Sequence, residues 1–384
     1  MKQTLIRALR ALGTATAAAV IATGPLAAEE KAPLKIGLLL SLSGPAAPFG
    51  IPERDAVLAL AAQTNAQGGV NGHPVQLFIY DDATNPTEAA RGMRQLTMQE
   101  KVQAVIGSTI GSGTLAAGPI AAQAQVPVLA PNGTDAVVSK DQKFFPWVFR
   151  TLPSDTLIGE AFLKRALAGG AKKVALFYQE DAYGKGMHDR LDHDAAALGI
   201  ELVASVSAPL SATDVTPQAT RIRNAEPDVV LIQASAPALG ASFVRAAKQV
   251  GLEAPIWAQG ALAQQSFIDA SGPAGEGVHL IMIANWADPT PELKGFADLL
   301  SAAGTPPQGF GEIIAANAYH AIIAAAQKVE GDLTGPALRD ALETVCKIDA
   351  YTEGFGCYGP DDHEGWTSEA MQPAVIRDGK FMRP

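Results

Sequence analysis

The chain has 384 residues, 48% of them hydrophobic and 18% charged, with a formal net charge of −10. That is enough for two domains, or one large one, with filled cores. The acidic balance, with no offsetting run of Lys or Arg, excludes nucleic acid and anionic lipid as natural partners.

Lys2, Arg7 and Arg10 precede an apolar run over residues 11–21 and then small residues up to Ala28. This pattern predicts a secretory signal over 1–28, cleaved after Ala28, and a soluble product in a bacterial periplasm. No cysteine stands near the cleavage point, so no lipid anchor is expected there. Residues 34–40, LKIGLLL, read as a buried strand. The loop SLSGPAAPFG over 41–50 follows, and then a helix over 52–67. Residues 75–80 are a second strand ending at Asp81-Asp82, and Asn85-Pro86-Thr87 opens a helix to about Glu100.

Residues 102–114, VQAVIGSTIGSGT, are the most informative stretch. A buried strand opens through Gly107, Ser108, Thr109, Gly111, Ser112, Gly113 and Thr114 into a helix. Helix starts leave backbone N–H groups without partners, and those groups with the helix dipole attract an anion. The stretch therefore reads as a cradle for the carboxylate of a small ligand, or as an ordinary capped helix start. A fourth strand over 126–129 ends in Pro131-Asn132-Gly133-Thr134. In a parallel sheet with helices on both faces, the loops at 41–50, 81–86, 108–114 and 132–134 share the edge where ligands bind.

Residues 149–155, FRTLPSD, look like a crossover. Strands over 173–178, 201–206, 228–233 and 256–260 then alternate with helices, and a strand over 278–284 leads the chain back. Helices are predicted over 291–303, 310–329 and 335–344, and a short strand with the turn Asp378-Gly379 closes the chain. The two halves repeat one architecture about 140 residues apart. Cys346 and Cys357 are the only cysteines. In an oxidising compartment they are expected to pair, contributing about 3 kcal/mol at most for so short a loop.

Other constellations are weaker. His188, Asp189, Asp192, His193 and Asp194 lie on one acidic helix, and Asp361, Asp362, His363 and Glu364 in a loop. Both read as solvated surface rather than metal sites. No G-x-S-x-G, P-loop or G-x-G-x-x-G after a strand occurs, so no hydrolase or nucleotide-binding motif is present and no cofactor or metal is implied. Trp257 and Trp286 read as packing residues or as an aromatic wall of a binding cleft.

SLSGPAAPFG, GGVNGHPVQLFIYDD, VQAVIGSTIGSGT, VPVLAPNGT, FRTLPSD, EDAYGKG and EPDVVLIQ occur in this order. In their order and spacing the chain resembles periplasmic solute-binding proteins of ABC transporters, of the branched-chain amino acid (Leu/Ile/Val-binding) type. The resemblance spans essentially the whole mature chain. It implies two doubly wound α/β lobes joined by three crossing segments, the type I periplasmic binding protein fold. The lobes would comprise residues 33–152 with 284–357, and 153–283 with 358–384. It implies a ligand caught between closing lobes and handed to an inner-membrane permease by a monomer that does no chemistry.

By motif, the resemblance implies that Ser112 and Thr134 hold the ligand carboxylate through their hydroxyls. Asn132 would offer a backbone carbonyl to an ammonium, and Asp155 would pair with it. Tyr183 and Phe49 would close on the ligand from the two lobes. Family members that bind aliphatic amino acids carry glutamate where this chain has Gln259. One negative charge fewer leaves two ligand classes open: apolar amino acids, and aromatic or aliphatic carboxylates without an amine. Import and ligand sensing through a membrane receptor are equally compatible with the sequence.

Overall fold

The computed structural model describes residues 31–287, 289–352 and 354–384. The leader expected over 1–28 lies outside the described residues. Five parallel strands form the first sheet: β1 (Leu34–Leu40), β2 (Val75–Asp81), β3 (Ala104–Gly107), β4 (Val128–Ala130) and β5 (Val148–Arg150), in the order β2-β1-β3-β4-β5. β1 is an interior strand, and nearly all its side chains are apolar and covered on both faces. Burial of each large one contributes about 1.5–3 kcal/mol. One face packs α1 (Ala47–Ala66) and α10 (Gly311–Lys328). The other packs α2 (Pro86–Arg94) and α3 (Gly111–Ala124). α1 begins five residues before the expected Pro52, since Pro48 in the first turn removes an N–H that has no intrahelical partner.

The second sheet has seven strands, from β6 (Lys173–Gln179) and β7 (Glu201–Ala208) through β8 (Val229–Gln233), β9 (Ile256–Gln259) and β10 (His279–Met282) to β11 (Gln372–Arg377) and β12 (Lys380–Met382). Their order is β12-β11-β10-β9-β8-β6-β7, with β11 and β12 antiparallel. Asp378 and Gly379 turn that last hairpin, both at positive φ as a tight two-residue connection requires. α4 (Asp155–Ala168), α5 (Ala182–Ala197), α6 (Thr216–Asn224), α7 (Pro237–Gln249) and α8 (Gln265–Ser271) cover its faces. Among these, the seven-residue α8 has no counterpart in the sequence reading.

The chain passes between the sheets three times. It leaves the first after β5, returns after β10 to α9 (Pro291–Ala302) and α10, and leaves again between α11 (Gly335–Leu342) and β11. In the third passage, Tyr358, Trp366 and Ala370 still pack into the first core. The return to the second sheet therefore comes later than the expected change at 357/358. Cys346 and Cys357 are joined by a disulfide at the start of this passage. Among the described residues, no helix is long and apolar enough to cross a membrane.

Candidate ligand-binding site

β1 is flanked by β2 on one side and β3 on the other, so the order of the first sheet reverses beside it, and a crevice opens beyond the strand ends there. Chain from both sheets meets over that crevice and lines a narrow cavity. From the first sheet come Phe49, Thr109, Ile110, Gly111, Pro131, Asn132, Gly133 and Phe310. From the crossing segment and the second sheet come Leu152, Ile158, Gln179, Tyr183, Ser235, Gln259 and Ala261.

On the first side, the loop after β3 is tied down from beneath. Thr109 Oγ1 donates to Glu53 Oε2 at 2.5 Å and accepts from the Ser41 N–H at 3.0 Å. Ser108 Oγ donates to Asp82, which also accepts from Ser41 Oγ. Burial raises the pKa of Glu53 well above the usual carboxyl range. The hydrogen bond from Thr109 works against that rise, and the nearby Asp82 and Glu312 add to it. Asn132 Nδ2 donates to the Ser108 carbonyl and to Thr114 Oγ1, both at 3.0 Å, while its Oδ1 has no partner. α3 then starts at Gly111 with Ile110 as its cap, and no side chain caps its first turn. Its leading N–H groups are therefore left for something outside the helix. Thr134 is fully buried, and its hydroxyl has no partner. That hydroxyl points at Gly111: a Cβ on Gly111 would lie 1.9 Å from it, so only glycine fits.

On the second side the polar residues that line the cavity, Gln179, Ser235 and Gln259, are satisfied by protein partners. Gln179 Nε2 donates to Asp181, and its Oε1 accepts from Ser235 N and Oγ. Gln259 Nε2 donates to the Ala234 carbonyl at 2.8 Å, and its Oε1 accepts from the Ala261 N–H at 2.9 Å. Asp181 caps α5 through the N–H groups of Tyr183 and Gly184. Asp155 opens α4 behind Gly133, whose carbonyl accepts its N–H at 2.8 Å. Its Oδ1 accepts from Gln233 Nε2 at 2.9 Å, and its Oδ2 is unpartnered. Burial and the neighbouring Asp135 push its pKa well up, against the pull of Arg150. Burial also raises the Tyr183 phenol, with Asp155 and Asp181 adding to it, so this hydroxyl remains a donor.

Residues 33–380 match the periplasmic binding protein family. The chain belongs to that family. It is 26% identical over 355 residues, 92% of either chain, to the leucine-, isoleucine-, valine-, threonine- and alanine-binding protein of Pseudomonas aeruginosa. The solved structure of an extracellular ligand-binding receptor from Rhodopseudomonas palustris HaA2 is 28% identical. It superposes with a TM-score of 0.82 over 92% of this chain and all of that one. A solute-binding protein of an ABC transporter from R. palustris, solved in complex with 4-hydroxybenzoate, shares the fold. It is 21% identical, with a TM-score of 0.80, over 92% of this chain and 96% of that one.

In this binding protein the residues singled out from sequence fall in three places. Phe49, Asn132, Tyr183 and Gln259 line the cavity. Thr134 and Asp155 are buried directly behind its wall at Gly111 and Gly133. Ser112 is the exception. Its half-buried side chain is not on the cavity, because one helical step of about 100° turns it away from the face that Gly111 presents. Where the cradle is expected at Ser112, the residue on the cavity is Gly111, which has no side chain. Neither Trp257 nor Trp286 lines the cavity: Trp257 stacks on His279, and Trp286 packs near Phe296.

The loop histidine His363, expected at the surface, is buried between the rings of Phe145 and Phe149. Its Nδ1 lies 2.9 Å from the carbonyls of Phe145 and Val148, so its partners are structural. On α5, His188 stacks on Tyr178 and meets Ser205, and Asp189 pairs with Lys185. Among the described residues no cluster of His, Cys, Asp and Glu could hold a metal ion. Sequence reasoning included Gly111 only within the cradle run and missed Phe310, Gln179 and Ser235. Those three carried a signal, a place just before a helix or at a strand end that resembles those of the residues it did find.

Proposed function

We propose that this protein captures a small carboxylate-bearing solute between two lobes and delivers it to an inner-membrane ABC permease. One observation carries the reading: an uncapped helix start and a buried, unpartnered hydroxyl converge on Gly111 at the wall of a cavity closed from both sheets. Such an arrangement suits an anionic head group, since fixed dipoles act more strongly where water is excluded. The first-turn N–H groups of α3 and Thr134 Oγ1 would donate to the carboxylate. Phe49 and Phe310, with ring centroids 5.8 Å apart, and Tyr183 would cover the apolar body.

The lobes would be residues 33–152 with 284–370, and 153–283 with 371–384, hinged at the three passages. A monomer exported to the periplasm and without catalytic activity fits this role, as do the relatives named for amino acids. Small-angle scattering and calorimetry on the mature protein test it together. A binding solute should reduce the radius of gyration and raise the melting temperature. Conversion of a bound solute to a new product, detected by mass spectrometry, would sink the reading.

A further inference from the structure

We propose that the solute is a monocarboxylic acid without an ammonium group, rather than an amino acid. This rests on the capture reading above and specifies what fills the site.

None of the fifteen residues lining the cavity is charged. An ammonium taken out of water needs an anionic partner, or it forfeits much of its hydration free energy. The residues of the second side that line the cavity offer none. Gln259 and Gln179 each have both ends of the amide engaged within the protein. Asp181 is held by Gln179 and by the first turn of α5. Asp155 stands one layer back. Asp155 is fully buried and does not line the cavity: its Oδ1 accepts from Gln233 Nε2 and lies 3.0 Å from the position a Cβ on Gly133 would take. The charged groups around it are Asp135, Asp181 and Arg150, and burial with the two acids favours its protonated form. Its Oδ2 is unpartnered, and an ammonium could meet it only past Gly133.

The first side provides for a carboxylate. Its unsatisfied donors are the start of α3 and the Thr134 hydroxyl. The unpartnered side-chain acceptor on this wall, Asn132 Oδ1, is neutral and suits a hydroxyl as well as any N–H. The rest of the lining is apolar: Phe49, Phe310, Leu152, Ile158, Ile110 and Pro131. One head group is therefore accounted for, and a second, cationic one is not.

Matched pairs that differ only in the amine test this on the unaltered mature protein, freed of co-purified solute by unfolding and refolding. The pairs are leucine with 4-methylpentanoate and phenylalanine with 3-phenylpropanoate, with benzoate as a further acid, each titrated by calorimetry near neutral pH. At least one acid should bind, and at least about 100-fold more tightly than its amino counterpart. An amino acid that equals or exceeds its des-amino partner overturns the proposal and leaves the capture reading standing. If no acid and no amino acid binds, both fall.

Discussion

The two walls of the cavity are built from the same parts, strand ends and helix starts, yet they differ in what they leave unsatisfied. The second wall is satisfied at the polar residues that line it, although Asp155 Oδ2 and Gln233 Oε1 behind it are unpartnered. Gln179, Asp181, Ser235 and Gln259 take one another or nearby backbone as partners, so its polar atoms fix shape. The first wall is open: Thr134 Oγ1 and Asn132 Oδ1 have no partner, and the first turn of α3 has no side-chain cap. Buried polar groups without partners cost about 1–3 kcal/mol each, so a fold that keeps them is arranged around something that arrives later. On the proposed function, the contrast assigns recognition of the head group to the first wall and the shaping of space for the body to the second.

The largest effect expected is from Gly111→Ala. The new Cβ would fall 1.9 Å from Thr134 Oγ1, so a buried side chain must move into a filled core. Overpacking of this kind costs about 1–3 kcal/mol of stability, and it also fills the place where the head group would rest. Calorimetry should find no binding in a variant that still unfolds cooperatively. Wild-type affinity would break the assignment of recognition to the first wall.

A pair of substitutions sharpens the comparison next. Thr134→Val removes the unpartnered hydroxyl at nearly constant volume. Binding should weaken by about 1.5–3 kcal/mol, the scale of a hydrogen bond to a charged group, while the free protein is no less stable. Gln259→Leu should do the reverse. It leaves the Ala234 carbonyl and the Ala261 N–H without their partner, so stability should fall by about 1–3 kcal/mol and affinity change little. Urea unfolding and titration of both variants decide the matter. If Gln259→Leu loses binding and Thr134→Val does not, the roles of the walls are exchanged.

A pH effect follows from the support under the first wall. Glu53 is fully buried beneath Thr109, with Oε1 unpartnered, and its pKa in the folded protein is raised well above 4.5. Between about 4.5 and that raised value the folded state holds the proton more often than the unfolded state does. Stability should therefore decline as pH rises through this window, by about 1.4 kcal/mol for each unit the window spans. In Glu53→Gln the decline between pH 5 and 7 should be smaller. An unchanged slope by urea unfolding would show that Glu53 does not hold the proton.

Much of the architecture is legible in the chain. Runs such as LKIGLLL and DVVLIQ are buried strands because parallel strands covered on both faces need continuous apolar sequence. What escapes the sequence is contact between distant segments. His363 looks solvated beside two aspartates, and only folding brings Phe145 and Phe149 to its two faces. Glu53 looks like any helix-surface acid until Thr109 closes over it. At the cradle, hydroxyl-rich sequence draws attention to Ser112, yet the close approach of Thr134 requires its neighbour to lack a side chain.

That one-residue difference gives the smallest predicted effect and a strict test of the cradle. Ser112 contributes its backbone N–H to the start of α3 whatever its side chain, and its hydroxyl is not on the cavity. Ser112→Ala keeps the N–H and the dipole, so affinity should change by less than about 0.5 kcal/mol, the range of substitutions away from such features. If the hydroxyl itself gripped the carboxylate, the loss would be about 1.5–3 kcal/mol. Titration of this variant beside Thr134→Val separates the two cases, because only one of the two hydroxyls can be the partner that Gly111 makes room for.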